Sequence, residues 1–332
     1  MKRIALAFTA LIFATLKTYS QDYHYSQFDA NPTYLNPALL GERLSSDYTG
    51  LRLNVNYRDQ KANYSAGPGN YRSVSEGLDI PVGDKWSVGQ YFSNDRSVNN
   101  VFTTTNFMFG TSYKLIGKNV DGIDKQNLAV GVQFGMLNKS YSPVDYSFDS
   151  QYSAASASGF DLSLPNGENF NTSVFTQFNT NVGLYYRVNV KPNKMKVYAG
   201  TSLYNITTNR ERINGVNLAM PLHFNAHFGM SYQLDDKVLL APQVLYMAQN
   251  KAQELNVGSL LYYSLNKHND AIIGFNWRNK NAFIVQLGVR VKGITLRTSY
   301  CFVNSYLMEY KNRGLEFSLV YTSPKKTYRS NF

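Results

Sequence analysis

The chain has 332 residues, of which 43% are hydrophobic, 14% aromatic and only 17% charged, with a formal net charge of +11 and a single cysteine. This composition excludes several classes of protein. A mean hydropathy of −0.33 is too low for a bundle of membrane helices, and the aromatic content is too high for a disordered chain. One cysteine excludes a disulfide scaffold and any multi-cysteine metal site. Uncharged polar residues mixed with Tyr, Phe, Val and Leu instead favour strands with one apolar and one polar face.

The amino end has the pattern of a secretory signal peptide. Lys2 and Arg3 form a basic start, residues 4–16 are almost entirely apolar, and small residues precede a cleavage site near Ser20-Gln21. The apolar part is too short to span a membrane. The alternative, a hydrophobic first helix of a cytosolic domain, does not explain the small residues at the processing positions. We therefore predict that residues 1–20 are removed during export.

Most of the remaining chain alternates between apolar and polar residues, which is the period of a β-strand. Residues 222–234 show this most clearly, with apolar side chains at the even positions and polar ones at most of the odd positions. Fourteen such segments are predicted, at 51–59, 70–80, 85–92, 100–115, 127–138, 174–190, 194–206, 221–234, 237–248, 253–265, 271–278, 282–292, 294–303 and 313–322. Strands of soluble proteins have a mode of about 5–6 residues, whereas a tilted membrane-spanning strand needs about 9–11. The lengths therefore favour a membrane barrel.

The lengths of the connections also indicate an outer-membrane barrel. If the processed chain starts in the periplasm, the odd-numbered connections face outward. The long ones among them are 60–69, 139–173, 207–220 and 304–312. Even-numbered connections are tight apart from 116–126, and this asymmetry with an even strand count is typical of bacterial outer-membrane barrels. We predict an all-β fold, a transmembrane antiparallel barrel of about 14 strands over residues 49–322, followed by a periplasmic tail at 323–332.

An Asn-Pro-rich segment, residues 21–48, lies between the signal peptide and the first predicted strand. Two pairs, Asn31-Pro32 and Asn36-Pro37, stand five residues apart in it. Proline lacks a backbone donor and biases the preceding residue away from the helical conformation. We therefore predict an ordered series of turns, which could form either a periplasmic cap or a plug in the barrel mouth.

Four motifs, in this order, resemble the PorP/SprF family, outer-membrane proteins of the type IX secretion and gliding machinery of Bacteroidota. In the amino-terminal segment the likeness is carried by Gln27, Asn31, Pro32, Tyr34, Leu35, Asn36, Pro37, Ala38 and Gly41. The later motifs are Pro221–Gly229, Trp277-Arg278 and Gly314–Leu319. The likeness extends over about residues 21–321, and the connection 139–173 departs from it.

The resemblance implies a non-enzymatic barrel that supports secretion or surface attachment of a specific adhesin-like cargo. It also implies contacts with secretion-machine components in the periplasm and outer membrane, while basic side chains outside the barrel are expected to contact lipid phosphates. In this interpretation connections 139–173 and 207–220 hold cargo, and the segment 21–48 and the tail face periplasmic partners. The candidates for partner contact are Gln27, Asn31, Pro32, Tyr34, Asn36, Pro37 and Gly41.

Polar residues on the inner face of the predicted strands are expected to line the lumen. The candidates are His223, Asn225, His227, Arg290 and Arg297. The two histidines stand four apart on one strand and hence about 13 Å from each other, too far to share a metal ion without further ligands. We expect them to act as hydrogen-bonding residues, and we predict no metal site and no cofactor.

Two other functions stay open from the sequence. The same barrel could be a channel for small or hydrophobic solutes, with its polar interior conducting. It could also be a lipid hydrolase, because Ser231 shares a strand face with His227, although no nucleophile elbow or nearby inward carboxylate accompanies that pair. We therefore predict no catalytic residues. Export and the dispersed basic residues argue against binding of nucleic acid.

Overall fold

Fourteen antiparallel strands close into one barrel, which confirms the predicted fold class. The structure is a computed structural model. It describes residues 24–43, 49–64, 67–97, 102–120, 123–141, 147–156, 159–165, 173–191, 194–207, 210–213, 216–219, 221–279, 282–303 and 313–324. The predicted signal peptide and all but the first two residues of the tail lie outside these ranges.

The barrel strands follow one another around the wall in chain order. They are β1 (Arg52–Tyr64), β2 (Gly67–Val82), β3 (Trp86–Arg96), β4 (Phe102–Val120), β5 (Ile123–Tyr141), β6 (Ser173–Lys191), β7 (Met195–Tyr204), β10 (His223–Gln233), β11 (Val238–Gln249), β12 (Ala252–Asn266), β13 (Asn269–Arg278), β14 (Ala282–Val291), β15 (Ile294–Val303) and β16 (Arg313–Thr322). A separate hairpin, β8 (Arg210–Ile213) and β9 (Val216–Ala219), stands between β7 and β10. Pairing of β1 with β16 closes the cylinder. Closure removes the free sheet edges that a bilayer could not hydrogen-bond.

Apolar side chains face outward and polar side chains face the lumen. In β14, Phe283 and Leu287 are 57% and 54% exposed, whereas the alternate residues Ile284 and Gln286 are fully buried. An apolar outer belt is what a lipid environment requires of a barrel. No helix in the described ranges is long and apolar enough to cross a membrane.

Two of the predicted connections are wrong in length because neighbouring strands continue through them. β1 and β2 extend to Tyr64 and Gly67, so that most of the predicted loop 60–69 is paired strand. Similarly, β4 and β5 extend through the exceptional connection 116–126 as far as Val120 and Ile123. Backbone pairing with an adjacent strand outweighs the weak strand propensity of the residues in these stretches.

The barrel has two unlike rims. The short-turn rim carries the connections that follow β2, β4, β6, β10, β12 and β14, each of a few residues. The long-loop rim carries the 31-residue connection between β5 and β6 and the connection that contains β8 and β9. Part of the former is described and is ordered by a bridge between Tyr152 and Phe160, whose rings pack edge to face at 6.0 Å. The predicted loop 304–312 lies outside the described residues.

Candidate functional site

Residues 24–43, which we call the plug, form three short helical turns. These turns are Phe28–Ala30, α1 (Pro32–Leu35) and Pro37–Leu39. The Asn31 side chain accepts a hydrogen bond from the Tyr34 N–H at 3.1 Å, and the Asn36 side chain accepts one from the Ala38 N–H at 2.9 Å. An asparagine at the cap followed by proline at the first helical position suits a helix start, because that proline lacks only a donor that would be unpaired. Each Asn-Pro pair therefore starts one turn.

The plug lies inside the barrel, so the segment is not a cap on its rim. Hydrogen bonds or ion pairs join it to nine of the fourteen strands, namely β1, β2, β4, β5, β6, β7, β10, β15 and β16. At its centre Asn36 donates to the carbonyl groups of Leu184 and Thr201 at 3.0 and 3.2 Å and lies 3.2 Å from His227 Nε2. Contacts on all sides hold the plug across the lumen.

A buried carboxylate on the barrel wall holds the first turn of the plug. Glu316 of β16 accepts hydrogen bonds from the backbone N–H groups of Ser26 and Gln27 at 2.7 and 2.9 Å. The Gln27 side chain donates to Ser299 Oγ at 3.2 Å and accepts from Ser318 Oγ at 2.5 Å. The sequence shows Glu316 only as part of the polar face of a strand, because its partners lie about 290 residues away.

A second buried carboxylate holds the carboxyl end of the plug. Asp79 of β2 has no exposed surface and pairs with Arg43 and Arg52, each at 2.8 Å. It also accepts a hydrogen bond from the Gly41 N–H at 2.7 Å. Gly41 has a φ of 76°, and a Cβ there would meet Ser87 Oγ at 1.8 Å, so glycine is required at this motif position. Burial lowers the pKa of Arg43 to about 10, and its guanidinium therefore stays charged at pH 7.

Glu42 adds a third carboxylate at the same end. Its side chain pairs with Arg187 Nε of β6 at 2.5 Å and accepts a hydrogen bond from Asn127 of β5. Arg52 donates to the carbonyl groups of Glu42 and Leu39, each at 3.0 Å. These contacts anchor the carboxyl end of the plug to β1, β2, β5 and β6.

Most of the predicted partner-contact residues are buried between the plug and the barrel wall, and Tyr34 also lines the cavity above the plug. Within this set Gln27, Asn31 and Asn36 have no exposed surface, Pro37 is buried, and Pro32, Tyr34 and Gly41 lie alongside them. Their described contacts are with the barrel and with other residues of the plug. A contact with another protein stays a prediction for these residues.

Four of the five predicted lumen residues are buried inside the barrel, and the fifth lies nearer the short-turn rim. His227 packs against Tyr185, with ring centroids 6.0 Å apart, and His223 lies 5.5 Å from the ring of Tyr204. Asn225 is buried between them on the same strand face. No three His, Cys, Asp or Glu side chains of the described residues form a group that could hold a metal ion.

The two predicted arginines differ in role. Arg297 is buried and pairs with Asp29 of the plug at 2.7 Å, which adds a charged contact on β15. The Arg290 side chain is 40% exposed, lies 3.3 Å from Asp270 and stacks over the ring of Tyr262 at 4.5 Å. Arg297 thus holds the plug, whereas Arg290 contacts the barrel wall.

A cavity of about 760 Å³ lies on the long-loop side of the plug, and we call it the vestibule. Its floor includes His24, Thr33 and Tyr34 of the plug. Its wall includes strand ends at the long-loop rim, such as Phe102 and Tyr141. Among the described residues, this cavity therefore lies between the long-loop rim and the plug, which crosses the lumen below it.

A substitution at Gly131 tests how closely the plug fits the wall. A Cβ on this β5 residue would lie 2.3 Å from the Pro37 carbonyl carbon and 2.4 Å from the Ala38 nitrogen, which are backbone atoms. We expect Gly131→Ala to lower the free energy of unfolding by about 1–3 kcal/mol and to expose the plug to protease. In the control Gly274→Ala, the nearest atom is the end of the flexible Leu260 side chain, and a smaller loss is expected. Equal losses would contradict the close fit.

We expect the protein to become less stable in acid because of His24 at the start of the plug. Burial lowers the pKa of His24 well below its usual value, and the nearby charges of Arg278, Arg58 and His223 act in the same direction, while Glu254 lies 3.4 Å from its Nε2. The folded chain therefore binds fewer protons at His24 than the unfolded chain below about pH 6.5, so stability falls as the pH drops through this range. The difference between the denaturant midpoints at pH 7 and pH 5 measures this loss of stability. We expect His24→Gln to reduce it, and an unchanged loss in that variant would contradict the assignment.

Comparisons with known proteins bear on both the family and the fold. The model of the family described as type IX secretion system membrane protein PorP/SprF matches residues 17–321. None of the curated proteins matches the chain.

Several solved structures resemble the barrel. The toluene transporter TbuX of Ralstonia pickettii is 10% identical, with a TM-score of 0.56 over 90% of this chain and 94% of that one. The toluene transporter TodX of Pseudomonas putida is 10% identical, with a TM-score of 0.53 over 91% and 94%. A FadL homologue of Pseudomonas aeruginosa is 12% identical, with a TM-score of 0.51 over 88% and 94%. At these identities the likeness shows the fold alone.

Proposed function

The chain belongs to the PorP/SprF family of type IX secretion system membrane proteins, and on that basis we propose that it retains a secreted, adhesin-like protein at the cell surface. The proposal includes no enzymatic step. Its main support is the plug, which crosses the lumen and is bonded to nine of the fourteen strands. A barrel closed in this way suits holding a protein better than passing one through.

Passage of a polypeptide through the lumen would require the plug to leave. Departure of the plug would break the hydrogen bonds from its backbone to Glu316. It would also break the ion pair of Asp79 with Arg43 and the hydrogen bond that Asp79 accepts from Gly41. Leaving such buried charged groups without partners costs several kcal/mol in total. We infer that the cargo crosses the membrane elsewhere and meets this barrel from the outer side.

We assign the cargo and the periplasmic partners to opposite rims of the barrel. In outer-membrane barrels the long loops face outward and the short turns face the periplasm. We place the cargo at the long-loop rim, where the connections between β5 and β6 and between β7 and β10 stand. The short-turn rim then faces periplasmic components of the machine, and co-purification of the intact barrel from detergent with its native partners tests this contact.

Deletion of the gene tests the proposal directly. We expect one large surface protein to leave the cell surface, as measured by protease shaving and mass spectrometry, while uptake of small solutes stays normal. Re-expression of the full chain should restore the surface protein. An unchanged set of surface proteins in the deletion strain would overturn the proposal.

Two outcomes would instead support the competing functions. Solute flux through the purified barrel in liposomes, with the surface proteins intact, would favour a channel. Lipid hydrolysis that Ser231→Ala abolishes would favour an enzyme, although the described contacts place no carboxylate beside His227 to orient it as a base.

A further inference from the structure

We propose that the vestibule is a docking site for an extended segment of the retained surface protein. This inference rests on the proposed function, because that function supplies a polypeptide on the outer side of the barrel. It goes further in locating the binding site within the barrel mouth, and in specifying the chemistry of the segment that binds there.

The middle of the vestibule is lined with side-chain amides. They belong to Asn106, Gln133, Asn179, Asn181, Asn205 and Asn225. Some bond to each other, as Asn181 does to Gln133 at 3.3 Å and Asn179 to Asn205 at 2.8 Å. The Oδ1 atoms of Asn179 and Asn225, however, are buried and accept no hydrogen bond within the described part of the chain. Both side chains are more than nine-tenths buried and line the cavity, so a ligand with N–H donors would satisfy them.

Aromatic side chains surround the amide layer on its outer side. They are Tyr71, Phe102, Tyr141 and Phe175. The rings of Phe102 and Tyr141 lie 4.8 Å apart, and Phe102 is 53% exposed although it faces the interior of the barrel mouth. Aromatic residues are enriched where proteins bind other proteins, since they offer large contact areas at low entropic cost. They provide contacts for the side chains of a bound segment.

The charge of the vestibule favours a neutral or acidic segment. Among its lining residues Arg58, Arg96 and Lys139 are basic, and Asp95 is acidic. Arg58 is bound by the His24 carbonyl group and by Gln60, and Arg96 and Lys139 lie at strand ends near the long-loop rim. A basic rim attracts an acidic chain and raises its rate of association.

A polypeptide matches this lining better than a hydrocarbon does. Each amide side chain offers one acceptor and a donor group, and an extended chain presents the same pair at every residue. A hydrocarbon would leave the Oδ1 atoms of Asn179 and Asn225 without a hydrogen-bond donor. An acidic oligosaccharide also carries donors and acceptors, and it enters the test as the competing ligand.

A bulky residue placed in the vestibule tests the site in cells. Asn106→Trp would fill the space beside the amide layer, whereas Phe107→Trp changes the next residue of β4, which faces outward. We expect Asn106→Trp to release the surface protein as fully as the gene deletion does, and Phe107→Trp to behave as the wild type. Heat-modifiable migration in gels verifies that both barrels are folded.

The outcomes separate the two proposals. If the gene deletion releases the protein and folded Asn106→Trp retains it, the docking site is wrong and the proposed function stands. If the deletion itself releases nothing, the proposed function fails. Release by both tryptophan variants would mean that the effect is not specific to the vestibule, and it would also overturn the docking site.

Binding in vitro tests the chemical nature of the segment that the vestibule binds. The full chain in detergent is panned against a displayed library of random octapeptides, and enriched peptides are measured by fluorescence anisotropy. We expect enrichment of acidic or neutral peptides, with binding at least about tenfold weaker to the double variant Asn179→Leu/Asn225→Leu because it lacks the two acceptors. No enrichment, equal binding by the variant, or preferred binding of tetragalacturonate as an acidic oligosaccharide would overturn the inference.

Discussion

Deletion of residues 24–43 is expected to turn the closed barrel into a water-filled pore. Barrels of eight strands are filled by their own side chains, and those of 16–18 strands leave an aqueous channel. Fourteen strands enclose a wide interior, and here it holds the plug and polar side chains such as Asn181 and Gln286. Without the plug, water would hydrate these groups. We expect conductance in planar bilayers to rise by about tenfold or more.

A matched deletion separates this effect from general damage. Removal of residues 210–219, the hairpin of β8 and β9, takes away chain outside the barrel wall. That variant should conduct as little as the wild type. Both variants must first show the heat-modifiable gel migration of a folded barrel. A plug deletion that folds and still does not conduct would mean that some other part of the chain closes the lumen.

Asp79→Ala is expected to be the most destabilising single substitution in the barrel interior. It leaves the guanidinium groups of Arg43 and Arg52 buried without the carboxylate that both contact at 2.8 Å. Breaking a buried pair by removal of one partner costs about 3–5 kcal/mol, because the remaining charge is uncompensated. Denaturant unfolding in detergent, followed by circular dichroism, measures the loss. The same variant should also conduct more, since Gly41 loses its anchor.

The control for this substitution is Asp84→Ala in the turn after β2, where the side chain is exposed. Exposed substitutions of this kind change stability by about 0.5 kcal/mol or less. Asp79→Asn keeps the size of the side chain and one acceptor, so it should lie between the two. A loss below about 1 kcal/mol in Asp79→Ala would show that the two arginines find other partners.

The plug itself was only partly predictable. Proline chemistry indicates turns at Asn31-Pro32 and Asn36-Pro37, because the constraint on the backbone is local. Their position inside the barrel depends on Glu316 and Asp79, which the sequence shows as ordinary polar residues of strands. The predicted lumen histidines lie on the inner face, but the contact between Asn36 Nδ2 and His227 Nε2 joins residues 191 apart. No local pattern encodes such a pair.

A barrel of fourteen membrane-length strands can be predicted from local sequence, because the alternation of side chains and the length of each strand are properties of single segments. The sequence also indicates, through its motifs, the family to which the chain belongs. Tertiary contacts, by contrast, place the plug across the lumen, extend the strands to Tyr64 and Gly67 and to Val120 and Ile123, and form the vestibule on the long-loop side of the plug. These features depend on contacts between segments far apart in the chain, whose free energies exist only once the wall has closed around the plug.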